Sequence, residues 1–433
     1  MGRGQAHLTN RNNSIILRKL ICWSVGLCLL CLGTVFPNLS EGHPPQVTPS
    51  KREPIIVERA DSWEASGLDE AFTLVGNVQI RHGSTRLTSD HVRYNRVLGE
   101  VFLEGHVRMT RDSTTFTANQ VMYYEKDRRA VGTGAVFLED LKEGSVLTGS
   151  QAEYFQRPRR VVLTGAPRLV RQHDSDDLII TGKRLEYFFS GKDSSARALA
   201  YQGVTVVDRS ESVTVTCGKA EYYKASGKAY LTDAPRLVKQ FESPDDQVLV
   251  TGKRMVYNFS SKQADIFDSV YIIQGKLQGV CDTVIYQDNP RQARLLGKPI
   301  IRDASSEIRG ETVVLDFEKE AVSQAVIAGN AIGSYLPEGD TRSEKSVIRG
   351  RQMVVEFEDR SVRMITATRN ASSEYRPSGN TDDSPPGRNR IKASKIQIQL
   401  DHGKLIRVTA EGSVDGSYQS SRQAIESSGS LKK

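Results

Sequence analysis

Cysteine is nearly missing from the body of this chain. Of five cysteines, Cys22, Cys28 and Cys31 fall near the N-terminus, and only Cys217 and Cys281 follow. Two thiols do not make a disulfide framework. They occupy one column of a repeat, two repeats apart. Rungs spaced by about 4.8 Å would set them at least about 9–10 Å apart, beyond the ~7 Å that a disulfide spans. They are expected to be unbonded. Tryptophan is limited to Trp23 and Trp63. The seven histidines are scattered, with no H-x-H or H-x-x-x-H spacing. No zinc motif, P-loop or nucleophile elbow occurs. An apolar stripe at i, i+3, i+4, i+7 is also missing beyond the first residues, which argues against helices. These absences leave no cofactor site and no enzyme active site to nominate.

Charge of one sign is not concentrated either. The net charge is +7. Residues 1–42 hold Arg3, Arg11, Arg18 and Lys19 against Glu41, so +3 of it lies there and +4 remains. The basic residues are spread between segments instead of gathered in a run, which speaks against nucleic acid as a partner. Apolar residues are 38 % and charged residues 26 %, with a mean hydropathy of −0.42. Together with frequent Val, Ile, Tyr, Phe and Thr, that suits a thin β-protein with much surface per residue.

What the chain does have is a degenerate repeat of about thirty residues, copied some ten times between Leu74 and Val414. LTGAPRLVRQ at 163–172 returns as LTDAPRLVKQ at 231–240, and TGKRLEYFFS at 181–190 returns as TGKRMVYNFS at 251–260. Such periods mean stacked, quasi-one-dimensional structures. The first half of each unit reads L-x-G-x-V/P-x-L, as in Leu74-Gly76-Val78-Ile80, Leu103-Gly105-Val107-Met109, Leu163-Gly165-Pro167-Leu169 and Leu231-Asp233-Pro235-Leu237. One parity is apolar and the other polar, the signature of a half-buried strand. The second half reads L-T-G/S-x-x-V-x-Y, as in Leu87–Tyr94. Its apolar parity switches at a small residue, which marks a corner or bulge. The expected fold is therefore all-β: an elongated, open, jellyroll-like or solenoid-like stack of antiparallel strands.

Gly76, Gly105, Gly165 and Gly297, with Asp233, share the parity of the apolar positions. Glycine inside a strand costs about 0.5–1 kcal/mol against alanine. Two readings stand side by side: these residues bend the strand, or they leave the interior underfilled as an apolar trough. On the second, Leu74, Val78, Ile80, Leu103, Val107, Met109, Leu163, Leu169, Leu231 and Leu237 are the candidate lipid-binding residues. Pro167, Pro235 and Pro299 are expected at bulges or at the lips of the trough. The recurrent tyrosines (Tyr94, Tyr154, Tyr187, Tyr222, Tyr257, Tyr286) read as wall packing. The acidic cluster Asp174, Asp176, Asp177 reads as a turn.

Four basic residues and no acid precede the apolar run Leu20–Phe36, 17 residues long. Its length lies between a secretory h-region and a spanning helix. Segment 1–42 is thus a signal peptide, cleaved before His43, or a retained membrane anchor. Either way the remainder is exported. Segment 43–56 reads as a linker, 57–416 as repeats, 372–389 as a loop inserted in them, and 417–433 as a disordered tail.

The paired half-motifs, G-x-V-x-L then L-T-G/S-D-x-V-x-Y, resemble the OstA/LptA-type repeats of periplasmic lipopolysaccharide-transport proteins. The resemblance covers nearly all of 57–416. It implies a folded β-jellyroll whose apolar groove shields the acyl chains of lipopolysaccharide or a related lipid during outer-membrane assembly. It also implies periplasmic location and docking, by edge-strand pairing, to inner-membrane and outer-membrane Lpt-type components, with head-to-tail self-association. The chain is longer than the small bridge component of that family, with about twice as many repeats. Nothing after Ser417 alternates like an outer-membrane strand. Retained, the leader would make the chain similar to the family's inner-membrane-anchored component. The alternatives are an exported structural or adhesive β-solenoid without lipid cargo, and a β-helix enzyme acting on polysaccharide. The latter would need grouped carboxylates that the repeat does not supply.

Overall fold

The computed structural model describes residues 55–67, 71–171, 178–192, 194–240, 247–318, 321–335, 345–358, 361–375, 388–401 and 404–419. The leader lies outside these residues, as do Asp174, Asp176 and Asp177. Strands fill the described chain, and its one helical turn is the 3-10 segment Lys224–Ser226.

Two half-strands, β1 (Ile55–Arg59) and β2 (Ser62–Ser66), open the sheet. Six full-length strands follow: β3 (Ala71–His82), β4 (Thr85–Asn95), β5 (Glu100–Arg111), β6 (Thr114–Tyr124), β7 (Arg129–Asp140) and β8 (Ser145–Gln156). The next two rungs are each broken in the middle, into β9 (Arg159–Thr164) with β10 (Arg168–Arg171), and β11 (Leu178–Thr181) with β12 (Arg184–Phe188). Full-length β13 (Arg197–Asp208) and β14 (Val213–Tyr223) precede broken β15 (Lys228–Thr232) with β16 (Arg236–Lys239), and β17 (Val248–Thr251) with β18 (Arg254–Asn258). The pattern returns in β19 (Gln263–Gln274) and β20 (Leu277–Asp288), then β21 (Arg291–Leu296) with β22 (Ile300–Arg302), and β23 (Ser306–Arg309) with β24 (Thr312–Glu318). It closes with β25 (Ala321–Tyr335), β26 (Ser346–Glu358), β27 (Ser361–Tyr375), β28 (Arg388–Asp401) and a last broken rung, β29 (Lys404–Glu411) with β30 (Asp415–Gln419).

Fourteen full strands and eight broken pairs thus make 22 rungs. Each rung pairs antiparallel with the one before and the one after. At about 4.8 Å per rung the stack is roughly 100 Å long. Two rungs make one repeat.

Every rung is creased at its middle, and the crease has a local cause. On alternate rungs two successive residues take the left-handed conformation: Gly76-Asn77, Gly105-His106, Gly134-Ala135, Gly165-Ala166, Gln202-Gly203, Asp233-Ala234, Asp268-Ser269, Gly297-Lys298, Gly329-Asn330, Arg369-Asn370 and Gly412-Ser413. Where the next rung runs on, the pair faces a single residue, a two-against-one bulge that bends the strand sharply. The residue that faces the pair from the preceding rung is often acidic and binds to the crease. Asp61 accepts from Asn77 Nδ2 at 2.8 Å, and Glu311 from Asn330 Nδ2 at 3.1 Å. His106 Nδ1 lies 2.7 Å from Asp90 Oδ2.

The glycine column accordingly serves to bend the strand. Gly76 and Gly105 are half-exposed, and Gly165, Gly297 and Asp233 are exposed, on the outer side of the crease. They do not hollow the interior. Pro167, Pro235 and Pro299 follow the crease directly and interrupt their rungs, where no ladder donor is required. The small residues of the second half-motif sit inside the crease: Ser89, Ala118, Cys217, Cys281 and Ala393 are all at least 92 % buried. Cys217 and Cys281 are free thiols, on β14 and β20.

Ser372–Tyr375 complete β27 and Arg388–Asn389 begin β28, so only 376–387 of the expected loop falls outside the described residues. Strands begin at Ile55, inside the expected linker, and run to Gln419, inside the expected tail.

Candidate functional site

The crease divides the sheet into two walls that face each other. In the first seven rungs, and at Leu163 on the eighth, the walls meet. Leu74, Leu103, Leu138, Leu147 and Leu163 are between 0 and 1 % exposed. Phe116 bridges the walls; a methyl group on Gly132 would lie 2.5 Å from its Cζ. The lips of this section are stitched from wall to wall. Tyr123 Oη lies 3.3 Å from His82 Nδ1, and Arg159 Nη2 donates to Thr114 Oγ1 at 2.7 Å. Outside, Arg129 stacks 4.5 Å from the Tyr124 ring, Arg160 4.5 Å from Phe155 and Arg197 4.1 Å from Phe188. Each pair is in direct cross-strand register, so cation and aromatic alternate down the sheet.

From Leu169 onward the walls part and enclose a continuous apolar cavity of about 1950 Å³ that runs to Leu405 and Val408 on the last rung. Its length is roughly 60 Å at about 4.8 Å per rung. One wall presents the aliphatic row Val206, Val215, Leu237, Val250, Ile272, Ile301, Ile308 and Ile348. The other presents a row in which alanine alternates with a ring: Ala198, Tyr222, Ala229, Tyr257, Ala264, Tyr286, Ala293. Each ring is held edge-on by a neighbour. Tyr222 and Tyr257 meet Phe259 at 5.5 and 4.7 Å between centroids, and Tyr286 meets Phe317 at 6.4 Å. The alanines between the rings leave the space. In the closed section that row holds Val101, Tyr123, Ala130, Tyr154 and Val161, against Phe116, Leu138 and Leu147 on the facing wall.

Apart from Glu186 and Glu221, which lie in mid-strand, the charged residues along the cavity stand near the hairpin ends at its lip. Lys262 crosses to Glu211 at 3.3 Å, and Lys239 reaches the same carboxylate at 3.5 Å. At the junction with the closed section a polar clasp spans the mouth. Arg171 Nη1 donates to Tyr222 Oη at 2.6 Å, Tyr187 Oη donates to Asp140 Oδ2 at 3.2 Å, and Lys224 pairs with Glu143. Burial pushes the Asp140 carboxyl above its ordinary range, which the Tyr187 hydrogen bond only partly offsets. For Glu143 burial acts in the same direction. There the bonds from Lys224 and Ser190 and the nearby lysine charges win, and hold it below the ordinary range.

Of the ten candidate residues, Leu169, Leu231 and Leu237 line the cavity. Leu74, Val78, Ile80, Leu103, Val107, Met109 and Leu163 are buried in the closed section and do not line it. Sequence reasoning took the strands of the two sections as equivalent because their parity is identical. Alanine between tyrosines occurs in both sections, at Ala130 in the closed one, so the signal that separates them is its regular recurrence with no ring like Phe116 on the facing row. The tyrosines pack in the wall, as expected, and Tyr222, Tyr257 and Tyr286 also face the cavity. Among the described residues, no three His, Cys, Asp or Glu side chains converge to hold a metal ion.

Residues 88–192 match the family model for the LptA/(LptD N-terminal domain) LPS transport protein. A solved structure, LptH, the LptA-homologous periplasmic component of the conserved lipopolysaccharide transport device from Pseudomonas aeruginosa, is 22 % identical. The similarity covers 29 % of this chain and 100 % of that one, with a TM-score of 0.27. No curated protein matches. Within residues 88–192, then, the repeats first read from half-motifs match those of the LptA/LptD N-terminal family.

Proposed function

We propose that this chain is an exported, periplasmic component of lipopolysaccharide transport that shields acyl chains from water. The observation that carries the reading is the cavity. At about 1950 Å³ it exceeds the roughly 300–1,000 Å³ of ordinary small-ligand sites. Its walls are aliphatic and aromatic for their whole length, so bound chains gain about 0.8 kcal/mol per buried CH₂ without a single deep trap. Most of its charges stand at the lip, where a phosphorylated or sugar headgroup meets water.

Open edges suit a bridge. β1 and β2 pair only with β3, and β29 and β30 only with β28, among the described residues. Exposed Val57, Trp63, Ile406, Val414 and Tyr418 lie on these outermost rungs. Unpaired edges are normally a hazard; strand addition by Lpt-type neighbours or a second copy would cover them.

A photoreactive residue at Leu237, inside the cavity, should cross-link bound lipopolysaccharide, and one at the adjacent exposed Arg236 should not. Equal cross-linking at both would refute the reading. An exported structural sheet without cargo predicts cross-linking at neither.

A further inference from the structure

The two ends of this molecule are not equivalent. The cavity reaches the C-terminal edge, where Leu405 and half-exposed Val408 of the final rung still line it. At the other end it stops at Leu169 on the eighth rung and Leu178, Ile180 and Leu185 on the ninth. There Arg171–Tyr222, Tyr187–Asp140 and Lys224–Glu143 cross the mouth, and a space of only about 20 Å³ lies among these clasp residues. Beyond it lie seven rungs with inward side chains that touch wall to wall.

We propose that the cavity is a blind hold: lipid is loaded and discharged at the C-terminal edge or over the lip beyond Leu169, and the first seven rungs carry none. This rests on the lipid reading above and adds to it which part of the chain holds cargo and which end exchanges it. Packing makes the closed section a wall and not a shut gate. Driving an acyl chain through it would separate Phe116 from Gly132 and part the walls at Leu103, Leu138 and Leu147, all essentially fully buried. Losing such contacts costs several kcal/mol per large side chain. The outer ladder of stacked arginines and rings, together with the stitched lips, resists that separation. The N-terminal edge can therefore attach the molecule to a neighbour by strand pairing, but it offers a lipid no path. The neighbour that gives or takes lipid must engage the C-terminal edge.

The test uses the full mature chain and lipopolysaccharide carrying a photoreactive diazirine at an acyl-chain end, with labelled peptides mapped by mass spectrometry. Label is expected in β16, β19 and β22 and absent from β5 to β8. Label in β5–β8 would overturn the blind hold while leaving the lipid reading intact. No label anywhere would overturn the lipid reading and this inference with it. A second arm follows transfer of a fluorescent lipopolysaccharide from vesicles to the protein. Val408→Lys, at the open end, should slow loading. Val57→Lys, on the N-terminal edge, should leave it unchanged. Equal slowing by both variants would sink the assignment of the exchanging end.

Discussion

At the scale of single residues, the fold depends on backbone positions that few side chains tolerate. Gly105 has φ +78°, and a Cβ there would approach Asp90 Oδ2 to 2.3 Å. Gly105→Ala combines a left-handed penalty with displacement of the acid that binds His106, and should lower stability by about 1–2 kcal/mol, read by denaturant unfolding. Asp90→Ala should recover part of that loss by removing the clash. The crease cysteines supply a second handle. Burial pushes the thiols of Cys217 and Cys281 up to about 11 each, against modest relief from backbone hydrogen bonds. Both stay protonated at neutral pH. Alkylation by iodoacetamide should be slow in the native protein and rise steeply across the unfolding transition; rapid native labelling would mean that the crease opens.

At the scale of elements, the clasp at the blind end joins the β7–β8 hairpin to the opposite wall. Glu143 is 5 % exposed and its partner Lys224 43 %. Lys224→Met strands a buried carboxylate and should cost about 1–2 kcal/mol at neutral pH. Because the folded carboxyl lies below its ordinary value, the pair's contribution is present above the ordinary glutamate range and fades as pH falls through the depressed value. The stability gap between wild type and variant should therefore close as the pH is taken below the ordinary glutamate range. Asp140 on the same hairpin works in the opposite sense: burial raises its pKa, so its ionisation weakens the fold at neutral pH and protonation relieves it.

This is also the scale at which the sequence was most and least legible. Alternation gave the strands, and the parity switch at Ser89 or Gly149 gave the crease, because both are local and set by one or two residues. The switch does not say which way a neighbouring glycine points, so Gly76 and Gly105 admitted a hollow that the bulge turns outward. Nor does parity report the distance between walls. That distance depends on side chains brought together from different rungs, such as Phe116 with Gly132 in the closed section and Ala198 between Tyr187 and Tyr222 in the open one.

At the scale of the whole molecule, every rung pairs only with its neighbours, and the side chains that cross the lips reach about three rungs further, so stability is close to a sum of local interfaces. Hydrogen exchange should be fastest at both terminal rungs and slowest in β5–β8, where dry packing, stitched lips and the outer ladder coincide. Uniform protection from end to end would contradict that ordering.

The uninterrupted up-and-down path has a consequence for how such a chain comes into being. No rung waits for a distant stretch of polypeptide before it can pair. A chain threaded through a membrane from its N-terminus can lay down one creased strand upon the last as each emerges. The packed section appears first, as a finished template, and the hollow one is built onto it, its growing edge always the next place to add a strand.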